Sequence, residues 1–128
     1  MFVLGVIPAR GGSKTIPRKN IYPLLGKPLI YYSIIAAKDS ALLDDCIVST
    51  DDLEIKDIAE SYGMDVPFLR PKILSGDKAL AVPTIKHAVL MYEELNNLTV
   101  DYVVMLQPTA PLRTSRAVSY THLTLPTN

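Results

Sequence analysis

Apolar residues fall into short unbroken runs that alternate with longer stretches of helical spacing. Phe2 to Ile7 is a continuous apolar run, the pattern of a strand covered on both faces. The next segment is apolar nearly all round (Leu29, Ile30, Tyr32, Ile34, Ile35). It predicts a helix from Pro28 to about Ala37, with Pro28 at the first position, where a missing N–H costs nothing. Cys46 to Ser49 reads as a second strand. Thr50-Asp51-Asp52 then supplies N-cap chemistry, and Glu54 and Asp57 suit the positive end of a helix dipole. Ile55, Ile58, Ala59 and Tyr62 share one face of that helix, and Gly63 ends it. Met64 to Leu69 predicts a short strand interrupted by Pro67, and residues 70–77 a loop. A third helix from about Pro83 to Leu95 places Ile85, Ala88, Val89 and Tyr92 inward and Glu93 and Glu94 outward, closing at Asn96-Asn97. Tyr102 to Leu106 is the last clear strand. Between the first strand and first helix, Pro23, Gly26 and Pro28 predict irregular structure.

Strands alternating with amphipathic helices call for a parallel α/β sheet with right-handed crossovers, and in such sheets ligands bind beyond the carboxyl ends of the strands. Two loops leave such ends. One follows Ile7 and gathers Arg10, Lys14, Arg18 and Lys19 around the turn at Gly11-Gly12, with no carboxylate among them. The other is Gln107-Pro-Thr-Ala-Pro-Leu-Arg113. They are expected to meet.

Charge sharpens this picture. The chain of 128 residues carries 13 Lys and Arg against 13 Asp and Glu. The first 38 residues hold six bases and no acid, whereas residues 39–101 hold all thirteen acids and five bases. A balanced total argues against nucleic acid, which needs an extended basic surface. A local basic region argues for a small, highly charged anion, and a triphosphate is the obvious candidate. One domain with a real core, or one lobe of something larger, fits the length. No apolar run approaches the roughly 18 residues of a membrane span. The single cysteine, Cys46, excludes an internal disulfide, fits a reducing compartment, and reads as a small buried hydrophobe.

The glycine loop matches neither the dinucleotide fingerprint nor the P-loop, because Gly12-Ser-Lys14 has the wrong order. Thr50-Asp51-Asp52 could bind a metal, but a capped helix start explains it more simply. His87 lies mid-helix without a second histidine or an acid one turn on, and His122 lies in an uninformative tail. In the second loop, two prolines fix the path, Gln107 offers donor and acceptor together, and Arg113 can fork onto a carboxylate or phosphate.

Ile7-Pro-Ala-Arg-Gly-Gly-Ser-Lys14, Ile16-Pro-Arg-Lys-Asn20, Val48-Ser-Thr-Asp51, Leu69-Arg-Pro71 and Leu106-Gln-Pro-Thr-Ala-Pro-Leu-Arg113 together resemble the acylneuraminate cytidylyltransferases (CMP-sialic acid synthetases). The match is collinear over roughly residues 3–115. The resemblance implies a Rossmann-like parallel sheet flanked by helices, of nucleotidyltransferase type. It implies a cytoplasmic, Mg2+-dependent enzyme, usually a homodimer, that activates a 2-keto sugar acid with CTP. Carried over residue by residue, it implies that Arg10, Gly11, Gly12, Ser13, Lys14 and Lys19 hold the triphosphate, with Arg10, Lys14 and Lys19 catalytic. Asn20 and Arg70 would contact the nucleotide, and Gln107, Thr109 and Arg113 the sugar acid.

Three departures stand out. Thr15 replaces a glycine usual in the family. Asp77-Lys-Ala-Leu-Ala81 lacks the hydroxyls that commonly follow this aspartate. The chain also stops where family members continue for a comparable length, so the metal-binding aspartates and the dimer-forming lobe are expected in a part not present. Residues 1–116 are accordingly expected to be the nucleotide-binding part of a cytidylyltransferase domain, and residues 117–128 a non-native end of a truncated reading frame. The alternatives are another sugar nucleotidyltransferase and a non-catalytic nucleotide-binding fragment.

Overall fold

A computed structural model describes residues 1–11, 21, 23–71, 81–107 and 122–124. The continuous apolar run forms the central strand β1, Val3–Pro8. The next strands are the short pair β2, Pro23–Leu24, and β3, Lys27–Pro28; after helix α1, Leu29–Asp39, comes β4, Asp45–Ser49. Helices α2, Leu53–Ser61, and α3, Ala81–Asn96, precede β5, Tyr102–Met105, and β6, His122–Thr124. The main sheet has the order β4-β1-β5-β6, with β1 parallel to both of its neighbours and β6 antiparallel to β5.

Strand alternation divides the core into two layers. Ile7, Val48, Val104 and Leu106 face the side covered by Ile30 and Ile34 of α1 and Ile55 and Ala59 of α2. Leu4, Val6, Ile47 and Val103 face the other side, against Ile85, Ala88, Val89 and Tyr92 of α3. A run with no polar alternation is what a strand needs when both faces are dry. The crossover from β1 to β4 carries α1 on one face; the return from β4 to β5 carries α3 on the other. Opposite directions on opposite faces give both crossovers the same hand.

Several local expectations shift by a residue or change type. Pro28 is the N-cap of α1 at φ −63° and ψ 149°, so the helix begins at Leu29, one residue after the expected first position. Residues 23–28 are a small antiparallel hairpin rather than irregular chain, pairing Pro23 with Pro28 and Leu24 with Lys27. Its turn puts Leu25 at φ 51° and Gly26 at φ 83°, the twist a two-residue hairpin turn requires. The Tyr32 hydroxyl donates to the Leu24 carbonyl at 2.5 Å and ties the hairpin to α1. The segment after α2 makes only isolated parallel bridges to β4, Ile47 with Asp65 and Thr50 with Leu69, because Pro67 cannot donate to a ladder.

Helix α2 begins as its chemistry predicts. Asp52 is the N-cap, and its Oδ1 accepts from the N–H groups of Glu54 and Ile55 at 2.8 and 3.1 Å. The helix ends at Ser61 with Tyr62 as its C-cap, and Gly63 turns the chain away at a φ of 83°, which suits a residue without a side chain. Helix α3 ends before Asn97, at φ 53°, a conformation asparagine tolerates better than most residues. Glu93 of α3 does not simply face water: its Oε2 accepts the Val100 N–H at 2.8 Å and fixes the turn into β5. Cys46 is buried in the core, and burial pushes its thiol well above the ordinary range, so it is an inert packing group as expected.

Candidate functional site

The carboxyl ends of β4, β1 and β5 lie side by side, and β1 feeds the cation-rich stretch from the middle of the three. The chain does not leave β4 immediately after β1 ends. The Ala9 N–H still donates to the Ser49 carbonyl at 2.9 Å. Two residues on, the Gly11 N–H donates to Asp51 Oδ1 at 2.8 Å. Ala9 and Gly11, on either side of Arg10, are thus stitched to the exit of β4, through one backbone and one carboxylate acceptor.

Arg70 reaches the same exit from the other side. Its N–H donates to the Thr50 carbonyl at 2.7 Å, extending the bridge between Thr50 and Leu69. Its guanidinium then folds over β4: Nε donates to Ser49 Oγ at 3.1 Å and Nη2 to the Ser49 carbonyl at 2.7 Å. Ser49 and Thr50 are fully buried, and Arg70 is only 6% exposed. Burial lowers the pKa of this guanidinium; the Asp51 carboxylate opposes that shift and the Arg10 cation adds to it. Arg10, Asp51 and Arg70 therefore share one electrostatic neighbourhood at the sheet's ligand-binding edge.

Gly11 is required by space as well as by its bond. A side-chain carbon built there would stand 2.5 Å from Asp52 Oδ2 and 3.0 Å from Asp52 Cβ. Only a glycine lets the backbone pass this close to the cap of α2.

A fourth residue enters from α3. The His87 ring packs edge-on against Phe68, with centroids 5.2 Å apart. Its Nδ1 is buried without a hydrogen-bond partner among the described residues. Burial, and then the charge of Arg70, lower its pKa, so the imidazole is neutral near pH 7.

Of the residues expected to form the site, Arg10, Gly11 and Arg70 are brought together. Gln107 leaves β5 on the far side of β1; the preceding Leu106 N–H donates to the Val6 carbonyl at 2.9 Å. Gln107 is exposed, with Nε2 3.7 Å from Met105 Sδ. Gly12, Ser13, Lys14, Lys19, Asn20, Thr109 and Arg113 lie outside the described residues. Ser49 and Asp51, which hold the assembled part in place, were not singled out as site residues by the sequence reading. The motif Val48-Ser-Thr-Asp51 was the signal available for them. Two open clefts flank Asp45 at the opposite, amino end of β4, away from these cations. Among the described residues no three His, Cys, Asp or Glu side chains gather as metal ligands. No helix among them is long and apolar enough to cross a membrane.

A largely parallel sheet flanked by helices is a fold found among solved nucleotidyltransferase structures. The solved structure of CMP:2-keto-3-deoxy-manno-octonic acid synthetase complexed with CTP shares it, at a TM-score of 0.73 and 24% identity, over 92% of this chain and 44% of that one. A nucleotidyl transferase from Methanothermobacter thermautotroptrophicus does so at a TM-score of 0.66, over 93% of this chain and 57% of that one, with 21% identity. At these identities the likeness shows the fold alone.

The chain belongs to the cytidylyltransferase family, whose model matches residues 4–121. It is 48% identical over 109 residues to the pseudaminic acid cytidylyltransferase of Campylobacter jejuni, covering 85% of this chain and 47% of that protein. It is 39% identical over 120 residues to the CMP-N,N'-diacetyllegionaminic acid synthase of Legionella pneumophila, covering 94% of this chain and 51% of that protein. To the N-acylneuraminate cytidylyltransferase of Escherichia coli it is 42% identical over 113 residues, covering 88% and 26% respectively. The chain thus spans about half the length of the first two of these relatives and a quarter of the third.

Proposed function

We propose that this chain is the CTP-binding part of an enzyme that activates a 2-keto sugar acid of sialic-acid type, giving a CMP-sugar and pyrophosphate. The observation that carries the reading is the convergence of Arg10, Gly11 and Arg70 on the exit of β4, which fixes the start of a cation-rich stretch beside a second cation. Membership of the cytidylyltransferase family, and relatives named for pseudaminic, legionaminic and neuraminic acids, support the choice of base and acceptor class.

In this reading the anomeric hydroxyl oxygen attacks the α-phosphorus in line. A new P–O bond forms, the bond to the β-phosphate oxygen breaks, pyrophosphate leaves, and the hydroxyl proton passes to solvent. The chemistry needs alignment and charge neutralisation more than covalent help. Arg10, Gly11, Gly12, Ser13, Lys14 and Lys19 hold the triphosphate, and Asn20 and Arg70 meet the nucleoside part. Gln107, Thr109 and Arg113 contact the sugar acid. Mg2+ would neutralise phosphate charge, and the described residues do not gather a ligand set for it. A cytoplasmic homodimer is the form expected of the whole protein.

A second reading keeps CTP binding without turnover in this chain, which spans about half the length of its pseudaminic and legionaminic relatives. Pyrophosphate release from CTP with a panel of 2-keto sugar acids separates the two readings. It is measured for this chain and for the same sequence carried on to its relatives' length. Release with one acid supports the enzyme. CTP binding in both proteins, with no release in either, supports the binding module. No CTP binding in either refutes the site.

A further inference from the structure

The two acids at the exit of β4 have the same chemistry but different partners. Asp52 is committed to α2, with Oδ1 shared between two N–H groups of the first turn. Asp51 is left over from the cap, and its Oδ1 instead takes the Gly11 N–H across a sequence separation of 40 residues. It also faces Arg70, whose charged form it favours. A carboxylate among cations is a poor neighbour for an incoming anion, because like charge repels it. Its position is explained if its task is geometric.

We infer that Asp51 is a positioning residue for the triphosphate: its carboxylate pins the Gly11 amide to the exit of β4, at the side where Arg70 is docked. This rests on the reading of residues 10–20 as the triphosphate stretch. Ser49 and Asp51 divide the work. Ser49 holds Arg70 through its carbonyl and hydroxyl, and holds Ala9 through the same carbonyl. Asp51 adds the anchor two residues further along, at the last described position before residues 12–20. Without that anchor, the backbone beyond Ala9 would lose its tie to Asp51, and the path on which it enters the cationic stretch would be less closely fixed.

The test is calorimetric titration of CTP into the 128-residue chain and its variants Asp51→Ala, Asp51→Asn and Tyr92→Phe, with thermal unfolding of each. Asparagine keeps a carbonyl acceptor for the Gly11 N–H and drops the charge; alanine drops both. Asp51→Ala is expected to weaken CTP binding about tenfold, the order of one hydrogen bond to a charged group, and Asp51→Asn to stay within about threefold of the parent. Tyr92→Phe, at the far end of β4, is expected to lower the unfolding temperature without moving CTP affinity, which separates stability from positioning. Unchanged or tighter CTP binding in Asp51→Ala overturns the inference. Equal weakening in Ala and Asn also overturns it, because the carboxylate would then act by charge and not through the amide. If the parent chain itself binds no CTP, the underlying reading of the site falls, a result distinct from either.

Discussion

Replacing Gly11 by alanine tests whether the basic stretch and the cap of α2 are one mechanical unit. The added carbon would stand 2.5 Å from Asp52 Oδ2, 3.1 Å from its Cγ and 3.0 Å from its Cβ. Contacts this short cannot persist, so either Gly11 leaves Asp51 or Asp52 rotates away from the α2 amides. In the first case the bond from the Gly11 N–H to a carboxylate is lost, worth about 1.5–3 kcal/mol. In the second, an aspartate cap is lost, worth about 1 kcal/mol. Either route predicts a destabilisation of about 1–3 kcal/mol, or roughly 3–10 °C in unfolding temperature for a domain of this size. The decisive assay is a double-mutant cycle with Asp52→Ser, measured by urea unfolding. Serine caps nearly as well as aspartate but lacks the Cγ and Oδ2 that alanine would strike. Gly11→Ala should therefore cost about 1 kcal/mol less in the Asp52→Ser background. Additivity within about 0.5 kcal/mol would refute the steric coupling.

Three further outcomes follow from the same geometry. In the sequence carried to its relatives' length, Arg10→Ala should lower turnover by the equivalent of about 2–4 kcal/mol, while Asp52→Ala should act chiefly on stability; equal effects in a pyrophosphate-release assay would count against the assigned role of Arg10. His87 has its pKa lowered by burial and by Arg70, so the unfolded chain binds its proton more readily. Stability from this group is therefore fully present above the unfolded pKa of about 6.5 and is lost as pH falls below it towards the lowered folded value. Unfolding temperatures from pH 7.5 to 5.5 should fall less steeply in His87→Gln than in the parent. Tyr92→Phe removes the 2.6 Å bond from the Tyr92 hydroxyl to Asp45 Oδ2 while keeping the buried ring, and should cost about 1 kcal/mol in urea unfolding.

Much of the fold was legible because its signals are local. The unbroken run through Leu4, Val6 and Ile7 specified a strand dry on both faces, and those residues are indeed fully buried between two layers. The spacing of Ile85, Ala88, Val89 and Tyr92 specified the inner face of α3. The hairpin at residues 23–28 was missed because two prolines and a glycine read as breakers, whereas here both prolines sit at the outer positions of a two-by-two pair and Gly26 serves its turn. Glu93 was placed outside by periodicity alone, which cannot show that a neighbouring turn offers the Val100 amide.

By itself the sequence determined the order of β1, α1, β4, α2, α3 and β5, and it put the cation-rich stretch directly after β1. Those properties are written in runs of a few residues, where periodicity, capping chemistry and charge act over one or two turns. Only the tertiary structure decided how the site is held. It distinguished Asp51 from Asp52, made Ser49 the dock for Arg70, and set His87 beside Phe68 within reach of the Arg70 charge. The partnerships of Gly11 with Asp51, and of Ser49 with Arg70, join residues 40 and 21 positions apart, and they depend on the register in which β1 and the segment after α2 lie against β4. That register follows from how two apolar layers close over the sheet, which no short stretch of the chain contains.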